Sequence, residues 1–139
     1  MVFNDTVSIL DTAEDENGNL KIIQYVLSGV YLETSSGAKF NESGEVRASA
    51  SQYYLCTLFI PNDFSCTESY VDRKVWESLS FTEKLSAFTL RPEQLIVGTG
   101  RVLEYDSLDE VMQNESVCYQ ILRVEFFNKV LPHFEVYGR

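Results

Sequence analysis

The residues of this sequence that could do chemistry are few and scattered. His133 is the only histidine, and Cys56, Cys66 and Cys118 are the only thiols. Nucleophilic catalysis by serine or cysteine needs a base beside it, so His133 would have to serve. A Cys118–His133 pair could form across a hairpin, but nothing near either residue supplies an orienting partner or an oxyanion motif. His133 lies in the alternating run LPHFEV and reads as a hydrogen-bonded histidine at a strand end. A structural zinc site takes four Cys or His ligands at close spacing; here no CxxC pair occurs, and His133 is remote from the cysteines. Cys56, inside YYLCTLFI, reads as a small core hydrophobe.

Carboxylates cluster at Glu14, Asp15 and Glu16 and again at Asp109 and Glu110. Asp11, Glu14, Asp15 and Asn17 could offer oxygen ligands before Gly18, yet an EF-hand loop needs glycine at its sixth position and glutamate at its twelfth. Neither is present. Turn chemistry and the helix dipole account for both clusters. The Gly98–Gly100 run GTG is not followed by a helix carrying a lysine, so no phosphate loop is expected. The expectation is a structural or interaction protein with no catalytic residue, no cofactor and no metal.

The elements that would hold these residues are mostly strands. Thr6–Leu10 alternates, and the acidic stretch Asp11–Asn19 with its NGN centre reads as a hairpin turn. Lys21–Thr34 is apolar on both parities, with Ile23, Tyr25 and Leu27 on one and Ile22, Val26 and Val30 on the other. Such a strand is buried on both sides or changes face at a bulge, and Gly29 is the natural place for one. Ser35–Gly44 reads as a polar loop, and Glu45–Pro61 as a central strand that proline ends. Asn62–Thr82 is irregular: Val71–Leu79 suits a helical turn or two with Val75 and Leu79 in step and Trp76 as the anchor. Ser80 with Glu83 has the capping-box pattern. Phe88–Gly100 reads as a strand, a proline turn, the short strand LIV and a glycine turn. Ser107–Asn114 is the best helix, capped by Ser107 and Glu110, with Leu108, Val111 and Met112 inward. Val117–Phe127 and His133–Tyr137 form a closing hairpin around Asn128–Pro132. The expected fold is mainly β, a small antiparallel β-barrel or sandwich of about seven strands with one or two short helices, in one domain spanning residues 1–139.

Bulk properties agree. With 139 residues, 45% of them hydrophobic and 13% aromatic, the chain is long and apolar enough for one cored domain. A net charge of −10 argues against gripping phosphate or an anionic membrane. An acidic wall can still stand beside DNA that slides past. No run of about 18 apolar residues occurs, and MVFNDTVSIL lacks a basic region followed by an apolar stretch. Reduced thiols in a cytoplasm are the expectation.

The runs TLRPEQLIVGTGRV, SLDEVMQN, CYQILRVEFFN and HFEVYGR together resemble small minor structural proteins of tailed bacteriophages and prophages. That family's pattern has a Leu-x-Pro-Gly-Asp turn, an Ile-Val strand ending in glycine, a short acidic helix, a Tyr-x-Ile strand and a closing His-x-x-Val-x-Gly-Lys strand. Leu90, Pro92, Ile96, Val97, Gly98, Tyr119, Ile121, His133, Val136 and Gly138 occupy its places. Upstream, LSGVYLET resembles the family's Gly-Val-Tyr-Trp strand, and VDRKVWESL its tryptophan-bearing excursion. Glu93 and Gln94 stand where the family has Gly and Asp, Leu32 where it has tryptophan, and Arg139 where it has lysine. The Glu93–Gln94 change leaves the type of the turn open.

The resemblance implies a head–tail connector of the head-completion or stopper kind: a homo-oligomeric ring below the portal that retains packaged DNA and receives the tail. Portal or adaptor and tail proteins would be its partners, with double-stranded DNA passing by without specific binding and no membrane involved. The protein would belong to the virion and assemble in the bacterial host cytoplasm. The loops Ser35–Gly44 and Asn62–Ser69 are the candidates for contact or gating, with Ser35, Lys39, Asn41, Glu42, Asn62, Asp63 and Glu68 as their polar residues. Two other readings stay open: a minor capsid or tail-terminator protein, and a host-encoded acidic binding module.

Overall fold

The computed structural model describes residues 2–35, 54–128 and 130–139. Among them are eight strands and three short helices, so the mainly β expectation holds. Six strands are hydrogen-bonded into an antiparallel ring in the order β1-β2-β3-β8-β7-β6. The ring is uneven, because β6 meets each neighbour over only three residue pairs.

β1 (Asp5–Glu14) and β2 (Leu20–Thr34) form the first hairpin. Its turn is shorter than the acidic run suggests. Asp11 to Glu14 continue the strand, and only residues 15–19 turn, with the Asp15 carboxylate accepting from the amides of Asn17 and Asn19. Asp11 stays in the strand because its side chain is buried against partners described below. β2 is held by two neighbours in succession, β1 along its first part and β3 (Cys56–Pro61) over Tyr31–Thr34. Gly29 makes the change possible. Asp5 pairs with Val30 and Thr6 with Ser28, which leaves Gly29 as the extra residue at φ +76°. Ile23, Tyr25 and Leu27 point inward before it and Val30 after it. The change of face expected at Gly29 is therefore present.

The excursion after β3 holds β4 (Ser69–Tyr70), α1 (Arg73–Glu77), α2 (Phe81–Lys84) and β5 (Ala87–Phe88), with β4 and β5 paired in parallel outside the ring. A strand at Phe88 is expected, so β4 and the third helix are why the counts exceed expectation. Trp76 anchors the excursion at 1% exposure, its indole N–H donating to Tyr25 Oη and to the Ala87 carbonyl, both at 3.1 Å. Val75, expected to pack with Leu79, is exposed instead. The capping box is complete: Ser80 Oγ accepts from Glu83 N, and the Glu83 carboxylate accepts from Ser80 N.

β6 (Leu95–Val97) follows the proline turn, and α3 (Leu108–Asn114) leads into β7 (Cys118–Phe127) and β8 (His133–Gly138), which pair as expected. α3 covers the outside of the ring, packing Val111 with Leu10, Leu95 and Val97, while Ile9, Leu27, Leu58, Ile60, Ile121 and Val136 fill the inside. This double cover explains the unbroken buried run in β1. Two details of α3 differ from expectation. Met112 faces solvent, and the Glu110 carboxylate bonds Asp106 N rather than the Ser107 amide. The part of the expected central strand before Tyr54 lies outside the described residues.

Candidate functional site

Strand parity sorts the β2–β3–β8–β7 half of the ring into two faces. Cys56, Leu58, Ile60, Val136 and Ile121 point into the core. The opposite parity builds an outer face in registered rows. Tyr31 lies beside Phe59, Phe59 beside Glu135 and Glu135 beside Glu125; Pro61 lies beside His133, and His133 beside Phe127. Outward positions of an antiparallel sheet are normally polar. Here they are rich in rings: Phe3 meets Tyr31 edge-on at 6.5 Å, Tyr31 meets Phe59 at 6.0 Å, and Phe127 stacks on His133 at 4.9 Å.

This face opens into a groove of about 490 Å³, with Phe3 and Phe59 on one side, Leu131 and Pro132 on the other, and Pro61 and Asp63 at the end of β3. Both strands of its floor begin or end next to proline, which has no N–H to extend a ladder. In the hairpin tip beside it Leu131 is 76% exposed and Val130 95%.

The charges on and beside the face are mostly negative. Among the described residues, Glu33, Asp63, Glu125 and Glu135 stand against one arginine, Arg123, which pairs with Glu125. His133 is held by both ring nitrogens, Nδ1 2.8 Å from the Leu131 carbonyl and Nε2 2.9 Å from Glu135. The Leu131 carbonyl first, and Glu135 second, raise the His133 pKa above its usual value. Partial burial pushes the Glu135 carboxyl up, but hydrogen bonds from Tyr137 and His133 outweigh it and hold the group below its ordinary range.

The expected loop residues fall in different places. Asn62 and Asp63 are exposed in the turn after β3 and line the groove. Glu68 is half-buried and accepts from the Cys66 thiol at 3.4 Å. Ser35 closes the end of β2, donating its amide to the Leu55 carbonyl at 2.8 Å. Lys39, Asn41 and Glu42 lie outside the described residues. Sequence reasoning passed over Phe3, Phe59, Leu131 and Glu135; the signal for Phe59 was its place on the opposite parity to Leu58 and Ile60.

The residues weighed for chemistry do not come together. His133 lies opposite Phe127 and Cys118 opposite Val97, so the closing hairpin keeps them at opposite ends of β7. Burial pushes the Cys56 and Cys66 thiols up to about 12, away from the reactive thiolate. The Asp11–Asn19 carboxylates are divided between a buried ion pair and an Asx turn. No group of three or more His, Cys, Asp or Glu suited to a metal occurs among the described residues, and no helix among them is long and apolar enough to cross a membrane.

Comparison of the chain with protein-family models, curated proteins and solved structures gives no match.

Proposed function

We propose that this chain is a virion structural protein of a tailed phage or prophage, a head–tail connector subunit of the head-completion or stopper kind. It stands in a homo-oligomeric ring below the portal, retains packaged DNA, and receives the tail. The observation that carries the reading is the backbone of the proline turn. Glu93 has φ +81°, the left-handed conformation that favours glycine, at the place where the phage pattern has glycine. With Pro92 before it and Gln94 N donating to the Arg91 carbonyl at 3.5 Å, the turn has the type II arrangement such a glycine would serve.

Two further places of the pattern support it. A Cβ on Gly98 would lie 2.6 Å from Val117 Cγ1, and one on Gly138 would lie 3.0 Å from both Cys56 Sγ and the Gln120 carbonyl. The pattern's glycines therefore coincide with positions where this fold has no room for a side chain. The ring-rich, carboxylate-bearing outer face suits contact with proteins, not with phosphate. In this reading portal or adaptor and tail proteins are the partners, DNA slides past without specific binding, and the chain does no catalysis. Its place is the virion, after assembly in the bacterial cytoplasm.

Electron microscopy of particles made without this chain tests the proposal. DNA-free or leaking heads beside free, complete tails are expected. Normal, tailed, infectious particles would overturn it.

A further inference from the structure

We infer that the groove on the outer face of β3 and β8 docks a short segment of another protein, one that presents an apolar side chain next to a lysine or arginine. The inference does not depend on the connector reading, since it rests on the shape and charge of this face alone. Three observations converge on it. The first is size: about 490 Å³ holds one or two large side chains and lies within the range of formed binding pockets, roughly 300–1,000 Å³. The second is chemistry: Phe3, Leu131 and Pro132 make the walls apolar, and Phe59 and Pro61 do so at sheet positions that would be polar if solvated. The third is charge. Asp63 and Glu135 both line the groove, Glu135 bonded to His133 and Asp63 with no ion pair among the described residues, and no lysine or arginine is among the described lining residues.

Together these fix the occupant's chemistry. An apolar anchor fills the groove between Phe59 and Leu131, and a neighbouring cation meets Asp63. A second copy related by a two-fold axis fits poorly. Two-fold docking would set Asp63 and Glu135 against their own counterparts, and like charges across an interface oppose binding. Nor do the described helices offer a basic, apolar segment. Arg73, Lys74 and Lys84 are interleaved with Asp72, Glu77 and Glu83, which cancel them.

Amide chemical-shift titration of the full chain tests the inference with three capped peptides: Gly-Lys-Leu-Phe-Lys-Gly and its counterparts with glutamine or glutamate in place of lysine. The lysine peptide should saturably shift the amides around Phe59, Asp63 and Glu135, with the glutamine peptide weaker and the glutamate peptide silent. Leu131→Asp and Asp63→Lys, both at exposed sites that leave the fold intact, should each weaken the lysine peptide at least about tenfold, as loss of an anchor does. Shifts spread over all surface carboxylates, or an affinity within about twofold of the parent in Leu131→Asp, would overturn it. So would shifts of the same amides on simple dilution without peptide, which would identify a second copy as the occupant.

Discussion

Arg91 and Asp11, eighty positions apart, meet through two parallel hydrogen bonds, Nε to Oδ2 at 2.9 Å and Nη2 to Oδ1 at 2.8 Å. Asp11 also accepts from Gln94 Nε2 at 2.8 Å and from the Thr12 amide at 2.7 Å, so its carboxylate is satisfied although its side chain is only 6% exposed. The guanidinium lies over the Trp76 ring, 4.7 Å from its centroid, and extends to Glu77 at 3.2 Å. One residue thus ties β1, the proline turn and the α1 excursion together. Removing one partner of a buried pair leaves a charge unpaired. Arg91→Met should lower unfolding free energy by about 2–3 kcal/mol, below the loss at a fully buried pair because Arg91 is partly exposed. Chemical denaturation measures this, and a change within about 0.5 kcal/mol, the size of a neutral surface substitution, would show that the pair does not organise the turn.

Glu93 and Gly29 make opposite predictions from the same backbone conformation, at φ +81° and +76°. A side chain in the left-handed region costs roughly 1–2 kcal/mol, offset in part by the greater unfolded-state freedom of glycine, about 0.4–1 kcal/mol. Glu93→Gly should therefore stabilise by about 0.5–1 kcal/mol and Gly29→Ala destabilise by a similar amount. The nearest atom to a Cβ on Gly29 is Phe64 Cα at 3.7 Å, an ordinary contact, so backbone strain alone sets that loss. Thermal melts of the two variants should move in opposite directions.

Gly138 differs, because there the obstacle is space. Gly138→Ala should cost about 1–3 kcal/mol by overpacking the β3–β8 seam. Gly18→Ala is the matched control. It has a positive φ but open space around the new methyl, so strain alone lowers its stability. Equal losses at both sites would refute the steric account.

The His133–Glu135 contact predicts a pH dependence. A histidine with a raised pKa contributes fully below its usual 6.5 and loses the contribution as pH rises through the folded value. A carboxylate with a lowered pKa contributes fully above its usual 4.5 and loses the contribution as pH falls through the folded value. The pair therefore stabilises most between those limits. His133→Gln should destabilise by up to about 1 kcal/mol near pH 5.5, with the deficit shrinking by pH 8. Urea melts of both proteins across that range give the answer; a deficit independent of pH would assign it to the lost stacking on Phe127.

Features set by neighbours in sequence were legible. The Ser80–Glu83 box, the bulge at Gly29 and the closing hairpin all follow from spacings of a few residues. Features set by distant partners were not. Asp11 looked like a turn residue because the arginine that keeps it in a strand comes eighty positions later. Glu110 was expected at the Ser107 amide, but its carboxylate reaches Asp106 instead. Alternation in CTLFIP divides Phe59 from Leu58, yet only the closed ring shows that Phe59 joins Phe3 and Leu131 from other segments to make a groove.

β8 is bonded on both sides, to β3 through six residue pairs and to β7 through six more. Cutting the chain at Pro132 would therefore bare two strand edges at once, each a row of unsatisfied amides and carbonyls able to template foreign strands. A ring of strands otherwise hides its adhesive borders. In this protein that concealment depends on β8, so a chain interrupted just before it would aggregate rather than persist as a smaller ring.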